Sequence, residues 1–312
     1  MAASSAISPL PSATRQGERP CPVCGTDTLE HVLSGEDRLT GAPGEFAVVR
    51  CAECALAFTT PRIGPDQFDL YYPSDYSNHV EASGSSSRVS RAHQWGIVHR
   101  GPYRSLARRR PGRMLDVGCG RGELASAFVA AGWRTSGVEP SAHAAAQALT
   151  AGIDVHVGEL DDAPWPESSF DAITFNHSLE HIPDPLGALE SAHALLRPGG
   201  AVAISVPNFG CWQRRAFGTH WFQLDLPRHL QHFEHRSLEE LVSRAGFRVK
   251  ARGTTPMRAG LPNSLQYRLF GRLRFAGGGY RKLLWLMLPL LRPLDAIGQG
   301  DCLYVVACRD AA

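Results

Sequence analysis

Residues 114–124 read MLDVGCGRGEL: an apolar run, then Gly118, Gly120 and Gly122 in a turn, then a helix-like segment. Glycines after a strand let a ligand approach the backbone closely. The spacing is G-x-G-x-G, not the G-x-G-x-x-G of a dinucleotide site. A pyrophosphate on the helix N-terminus would meet Asp116 and Glu123 and be repelled. A ligand with an ammonium and a carboxylate would not: Asp116 holds the amine while backbone N–H groups hold the acid. Glu139, at the end of GVE, is placed to accept both hydroxyls of a ribose. An amino acid joined to a nucleoside satisfies these groups together, and that ligand is S-adenosylmethionine (SAM).

Two further sets of residues could do chemistry. Cys21 and Cys24 in CPVC, and Cys51 and Cys54 in CAEC, are two C-x-x-C pairs separated by 26 residues. Two such knuckles offer four thiolates in a tetrahedron, the arrangement of a closed structural zinc site with no open position for catalysis. A redox site would need only one pair. Ribbons of this kind often bind nucleic acid, but Lys and Arg are sparse between the pairs. The second set is histidines: His177 and His181 in NHSLEH, His229 and His232 in DLPRHLQHF. Methyl transfer from a sulfonium is an in-line displacement that often needs a base, and histidine titrates near neutrality.

These residues need a scaffold. From Arg113 strand and helix patterns alternate: MLDVG, ELASAFVAAG, TSGVEP, a helix capped by Ser141, IDVHVG, FDAITFNH, LGALESAHALLRPGG with a glycine stop, and AVAISVPN. SLEELVSRAGF follows, with Ser237 and Glu240 as a capping box and Gly246 at its end, then FRVKARG and CLYVVACR as the last two strands. Repeated strand–helix units predict an α/β fold: a doubly wound, Rossmann-like, seven-stranded parallel sheet with its ligand at the carboxyl ends of the strands. The expected organisation is a disordered tail at 1–19, a zinc ribbon at 20–60, a linker or lid at 61–110, and a ligand domain at 111–312 with an insertion at about 254–300. The linker holds an aromatic cluster, Tyr71, Tyr72 and Tyr76, and a basic helix-like piece, AHQWGIVHRGPYRSLARRR.

With 312 residues and 43% apolar content, one sizeable core and a small module can be buried. Net charge is +2, so no global field draws the chain to nucleic acid. No run reads as a signal peptide or reaches the roughly 18 apolar residues of a membrane span. Cys119, Cys211, Cys302 and Cys308 are scattered in apolar surroundings and read as buried thiols of a cytoplasmic protein.

LDVGCGRG, GVEPS, SSFDAITFNHSLEHIPDP, LLRPGG and SVPN, in this order, resemble class I SAM-dependent methyltransferases over roughly residues 110–250. The resemblance implies that the loop Asp116–Gly122 holds the methionine part and Glu139 the ribose. It places Glu159 and Leu160 at the adenine, with Asp161 as competitor, and Asn176 and His177 beside the methyl group. The paired knuckles, the tyrosines and DLPRHLQHFEHRSLEEL together resemble the zinc-containing sugar C-methyltransferases of antibiotic biosynthesis. That likeness implies His229 as base and Tyr76 as an upstream catalytic tyrosine, with His181 a further candidate. The family's Glu falls on Arg228 and its Tyr on Leu226, and a further C-terminal domain of that family has no equivalent here.

The acceptor region implied is GCWQRRAFGTHWFQLDLP, with Trp212, Trp221 and Phe222, together with His232. Aromatics beside Arg214 and Arg215 suit a glycosylated, phosphorylated or aromatic acceptor, and equally a packed lid. The expected activity is methylation of a small-molecule acceptor, a sugar or natural-product intermediate. Alternatives are an RNA base methyltransferase, disfavoured by the low charge, and a non-catalytic SAM-binding adaptor, which would show a damaged glycine loop. Within the insertion, Leu283–Leu291 is an apolar run flanked by Arg281, Lys282 and Arg292. It reads as a helix packed on the core or against a second copy in a homodimer, with peripheral membrane contact through 281–292 as the alternative.

Overall fold

The computed structural model describes residues 20–64, 67–72, 91–257, 259–274, 293–294 and 296–311. The tail at 1–19, Tyr76 and the apolar run at 281–292 lie outside the described residues.

The central sheet is built from β4 (Arg113–Val117), β5 (Arg134–Glu139), β6 (Asp154–Val157), β7 (Phe170–Asn176), β8 (Leu196–Pro207), β10 (Arg248–Thr255) and β11 (Cys302–Cys308), in the order β10-β11-β8-β7-β4-β5-β6. Leu115, Ile173, Phe175, Val202 and Ile204 are completely buried. Such near-continuous apolar strands are what a sheet covered on both faces requires. The covering helices include α4 (Glu123–Ala130), α5 (Ala142–Thr150), α6 (Pro185–Leu195) and α8 (His235–Arg244). Helix α4 stops where Gly132 takes φ +90°, and Ser141 Oγ caps α5 by accepting from Ala144 N at 3.3 Å. The strand order reverses direction between β4 and β7. Their carboxyl ends therefore open a crevice, the place where ligands bind in such sheets.

The structure departs from the sequence reading in four places. The sheet is mixed: β11 runs antiparallel to both β8 and β10, because it returns to the sheet as a hairpin partner of β10. The glycines of LRPGG do not stop α6. The helix ends at Leu195 and β8 begins at the next residue, with Gly199 and Gly200 bonded to the backbone of Arg309. The capping box of α8 lies one turn earlier than expected, between Glu234 and Ser237, whose Oγ accepts from Glu234 N at 3.0 Å.

The fourth difference concerns the N-terminal module. Strands β1 (Leu29–Gly35), β2 (Phe46–Cys51) and β3 (Ala57–Thr60) form an antiparallel meander. Its sheet is completed by β9, the two residues Gln231–His232, which pair with β3. The sheet of residues 29–60 is therefore joined by backbone hydrogen bonds to the segment after α7 (Trp212–Phe217). In the chain, the short helices α1 (Phe68–Tyr71), α2 (Arg91–Val98) and α3 (Tyr103–Ala107) lie between β3 and β4. Helix α9 (Gly260–Phe270), at the start of the insertion, covers the Trp221–Phe222 segment, and Ser264 Oγ accepts from Phe222 N at 3.0 Å.

Candidate active site

The glycine turn has the geometry that its composition foreshadows. Gly118, Gly120 and Gly122 take φ of +71°, +53° and +79°, conformations that side chains rarely adopt. Gly118 N and Cys119 N both donate to Val138 O, at 2.8 and 3.0 Å, tying the turn to the end of β5. A Cβ on Gly118 would lie 2.5 Å from that of Ser178, whereas one on Gly120 would meet nothing within 4 Å. The turn is thus packed from below at Gly118 and open above Gly120. Glu139 is held at the same edge by backbone donors, Gly120 N at 2.8 Å and Ser141 N at 2.9 Å. Each of its oxygens keeps a free lone pair direction for a hydroxyl donor. An open glycine cradle beside a fixed carboxylate fits the amino-acid and ribose parts of SAM.

Asp116 stands beneath this cradle, 1% exposed, accepting from Thr174 Oγ1 at 2.7 Å. Burial pushes its pKa up to about 7, against the pull of the Thr174 hydroxyl. An ammonium arriving above the loop would favour its ionised form. At the end of β6, Glu159 is exposed and Leu160 is buried. Asp161, the competing acid, is turned toward α6, where it accepts from Ser191 Oγ at 2.6 Å. Asn176 is fixed by a residue not anticipated from the sequence, Tyr103, whose hydroxyl donates to Asn176 Oδ1 at 2.6 Å.

Beyond β7 the chain turns sharply at His177, φ +52°, into a one-turn helix Leu179–His181. This brings Glu180 and His181 against the DLPRH segment. His181 Nδ1 lies 3.0 Å from Arg228 O, and His229 Nδ1 lies 2.9 Å from Gln223 O. The two imidazoles meet edge to face with centroids 4.8 Å apart. Glu180, completely buried, has Oε1 3.3 Å from His177 Nδ1. Burial raises its pKa, but the contact with His177, and beyond it the neighbouring imidazoles of His181 and His229, outweigh this and hold it below the usual carboxylate range. Tyr72 also reaches the cluster, its hydroxyl 3.4 Å from both His181 Nδ1 and Arg228 O. Tyr76, the tyrosine to which the sequence assigns a catalytic role, lies outside the described residues; Tyr72 belongs to the same aromatic run, four residues earlier.

Two residues assigned to the acceptor lie elsewhere. His232 is 3% exposed in β9; Thr59 Oγ1 donates to His229 O at 2.6 Å, so in its 2.9 Å contact with His232 Nε2 the imidazole N–H donates to Thr59 Oγ1. Trp221 is 1% exposed and packs in a core with Phe46, Tyr71 and Phe209. Both are consumed by the joint between the N-terminal sheet and the main domain. Trp212 and Phe222 are only half-buried, Phe222 facing Tyr267 at 5.9 Å.

Arg228 organises this joint. Its guanidinium donates to both oxygens of Asp37, at 2.6 and 2.9 Å, and to Asp225 Oδ1 at 2.7 and 3.0 Å, with no exposed side-chain surface. Asp37 belongs to the turn between β1 and β2, so a single side chain clamps the N-terminal module to the loop that carries His229.

Burial sets the titration of two histidines here. It drives the pKa of His229 down to about 4, aided by His181 and only partly offset by Asp225 and Glu180, and it lowers that of His232 as well. In the unfolded chain each titrates near 6.5. The unfolded chain then binds more protons at acid pH, so stability is intact above about pH 6.5 and falls as the pH drops toward 4. The slope approaches about 1.4 kcal/mol per pH unit for each such histidine. Thermal melts recorded from pH 7.5 to 5 should show a steady fall in Tm below pH 6.5; a flat profile would contradict the buried neutral histidines.

At the other end of the N-terminal sheet the four cysteines converge. Cys21 and Cys54 sulfurs are 3.5 Å apart and those of Cys24 and Cys51 3.4 Å, all within 4.8 Å of one another. A disulfide needs ~2.05 Å. A tetrahedron drawn at the ~2.3 Å zinc–sulfur distance has edges near 3.8 Å, close to the observed spacing. Each knuckle turns at the residue after its second cysteine, Gly25 at φ +76° and Ala55 at φ +60°.

A crevice at the strand-order reversal, a glycine cradle and an acidic residue ending the second strand of the main sheet define a class I SAM-dependent methyltransferase architecture. Residues 95–251, half of the chain, match the family described as "Methyltransferase domain", and the chain belongs to that family. It is 31% identical over 135 residues to the ubiquinone biosynthesis O-methyltransferase of Haemophilus ducreyi, and 34% identical over 103 residues to that of Aeromonas salmonicida. These matches cover 39% and 31% of this chain and 57% and 43% of the relatives, so the chain spans about half of their length. Among solved structures, a SAM-dependent methyltransferase from Thermotoga maritima shares the fold, with TM-score 0.51, 18% identity, and coverage of 78% of this chain and 99% of that one. No described helix is long and apolar enough to cross a membrane.

Proposed function

We propose that the protein transfers the methyl group of SAM to a hydroxylated small molecule, a sugar or natural-product intermediate, seated at the carboxyl ends of β7 and β8, and that Cys21, Cys24, Cys51 and Cys54 hold a structural zinc ion. SAM supplies an electrophilic methyl carbon on a sulfonium. The protein's residues do the rest: the turn Gly118–Gly122 and Glu139 hold the donor, Glu159 and Leu160 border the adenine, and Asn176 lies by the methyl group.

The observation that carries the reading is the tautomer of His229. Its Nδ1 hydrogen is engaged by Gln223 O, which leaves Nε2 as a lone pair able to take the acceptor's proton. The two relatives named as O-methyltransferases favour oxygen as the acceptor atom. The zinc assignment rests on the sulfur spacing and on the two paired knuckle turns.

Calorimetric titration with SAM and, separately, with NADH tests the donor. Micromolar binding of SAM and none of NADH is expected; binding of NADH alone would overturn the proposal. On a productive acceptor, His229→Ala should cost about 10²–10⁴-fold in kcat, the range of a positioned general base.

A further inference from the structure

Three donor groups from two separate segments meet beside the proposed acceptor position. A carboxylate oxygen of Glu180 and one ring nitrogen each of His181 and His229 lie within 4.8 Å of one another. Both imidazoles have Nδ1 against a backbone carbonyl, that of Arg228 or Gln223. A carbonyl only accepts, so each Nδ1 carries the hydrogen and each Nε2 keeps its lone pair. Histidines that bind metals are held in this way, one nitrogen for the ion and the other N–H on a fixed acceptor.

Glu180 supplies an independent observation. Its side chain is completely buried, neither oxygen has a well-aligned hydrogen bond, and its nearest donor is His177 Nδ1, 3.3 Å from Oε1. A buried carboxylate in that condition is costly unless a cation compensates it. The charge in the surrounding pocket points the same way. Asp37 and Glu180 are completely buried carboxylates and Asp225 is a partly buried one, its side chain 10% exposed; Arg228 is the buried guanidinium that faces Asp37 and Asp225. With all the imidazoles neutral, His177 beside Glu180 included, the group carries two negative charges in excess, the charge of one divalent ion.

We infer that Glu180, His181 and His229 bind a divalent first-row transition-metal ion, through one oxygen and two nitrogens, with positions left open to the acceptor. Two imidazoles with one carboxylate select zinc, iron, cobalt or manganese over magnesium or calcium, which prefer all-oxygen sites. The role of the ion, though not its presence, rests on the methyl-transfer reading. It narrows the acceptor to molecules with two adjacent oxygens, such as a vicinal diol, a catechol or a hydroxyketone, that can chelate the open positions. With the ion bound, His229 would be a ligand in place of the direct base described above, and would act on the acceptor by holding the ion that acidifies its hydroxyl. That proton would pass to water, the oxygen would bond to the methyl carbon, and the carbon–sulfur bond would break with its electron pair remaining on sulfur.

The test is cobalt titration of the full chain after its resident metal has been exchanged, followed by absorption spectroscopy and metal analysis. Two equivalents are expected: one with the sulfur-to-cobalt charge-transfer bands of the four-cysteine site, and one with ligand-field bands alone. Glu180→Gln and His181→Asn should each lose the second equivalent and keep the first, and both should still bind SAM. A single equivalent in the unaltered protein, or a full second equivalent in both variants, would overturn the inference. Should either variant fail to fold, the other decides. Loss of SAM binding with two equivalents retained would instead sink the methyl-transfer reading and leave the metal site standing.

Discussion

Arg228→Ala is expected to destabilise the protein by about 3–5 kcal/mol, the cost of leaving buried charges unpaired. The arginine has no exposed side-chain surface, and neither does Asp37 beneath it. Removing the guanidinium takes away the bidentate pair with Asp37, both bonds to Asp225 Oδ1 and the bond to Tyr71 O at once. At about 2–4 °C per kcal/mol, the fall in Tm is on the order of 10 °C. Arg228→Lys should recover part of it, since an ammonium restores charge but cannot fork across two carboxylates. Asp37→Asn should fall in the same direction, because Asp37 is the other half of the clamp. Melts of the three variants with and without zinc decide the matter: a Tm unchanged by Arg228→Ala would show that the clamp contributes nothing to stability.

Gly120→Ala and Gly118→Ala should part company in a way that locates the ligand. A methyl group on Gly120 enters open space, so folding bears only the left-handed backbone strain, about 1–2 kcal/mol. If SAM lies over that space, the methyl group displaces it, and affinity should fall by roughly tenfold for each 1.4 kcal/mol lost; a loss on the order of 100-fold is expected. Gly118→Ala must in addition push Ser178 aside, breaking the 2.6 Å bond from Ser178 Oγ to Val117 O. It should lower Tm and SAM affinity together. Calorimetry beside thermal melts reads both quantities. Full SAM affinity in Gly120→Ala would place the ligand away from the glycine turn.

What the sequence revealed and what it concealed divide along physical lines. The alternating apolar segments, the glycine turn and the paired cysteines are local patterns, each written in a dozen adjacent residues, and they survive into the structure as β4 to β8 and the four-sulfur cluster. The joint between module and main domain is not local. Strand β9 is two residues long and has no periodicity to betray it. Its partner β3 is far away in the chain, so His232 and Trp221 read as acceptor contacts when they are packing. Arg228 looked like a lost catalytic glutamate because only its position in a motif could be compared; its ion pairs with Asp37 and Asp225 required the fold. Glu180 stood in plain view in NHSLEH. It drew no weight because a charged residue is normally solvated, and the turn at His177 that buries it leaves no mark in residue type.

The pairing of β9 with β3 also sets a schedule for the ribosome. The N-terminal strands emerge first, but the strand that covers the edge of Ala57–Thr60 is made about 170 residues later, roughly ten to thirty seconds at ~5–20 residues per second. Throughout that interval the nascent chain presents an open strand edge, the feature by which newly made proteins pair with the wrong neighbour. Early capture of metal by the two knuckles would hold the short meander in register while it waits. With zinc in the four-cysteine site as proposed, protein made where zinc is scarce should be lost during synthesis, before any catalytic defect can be measured.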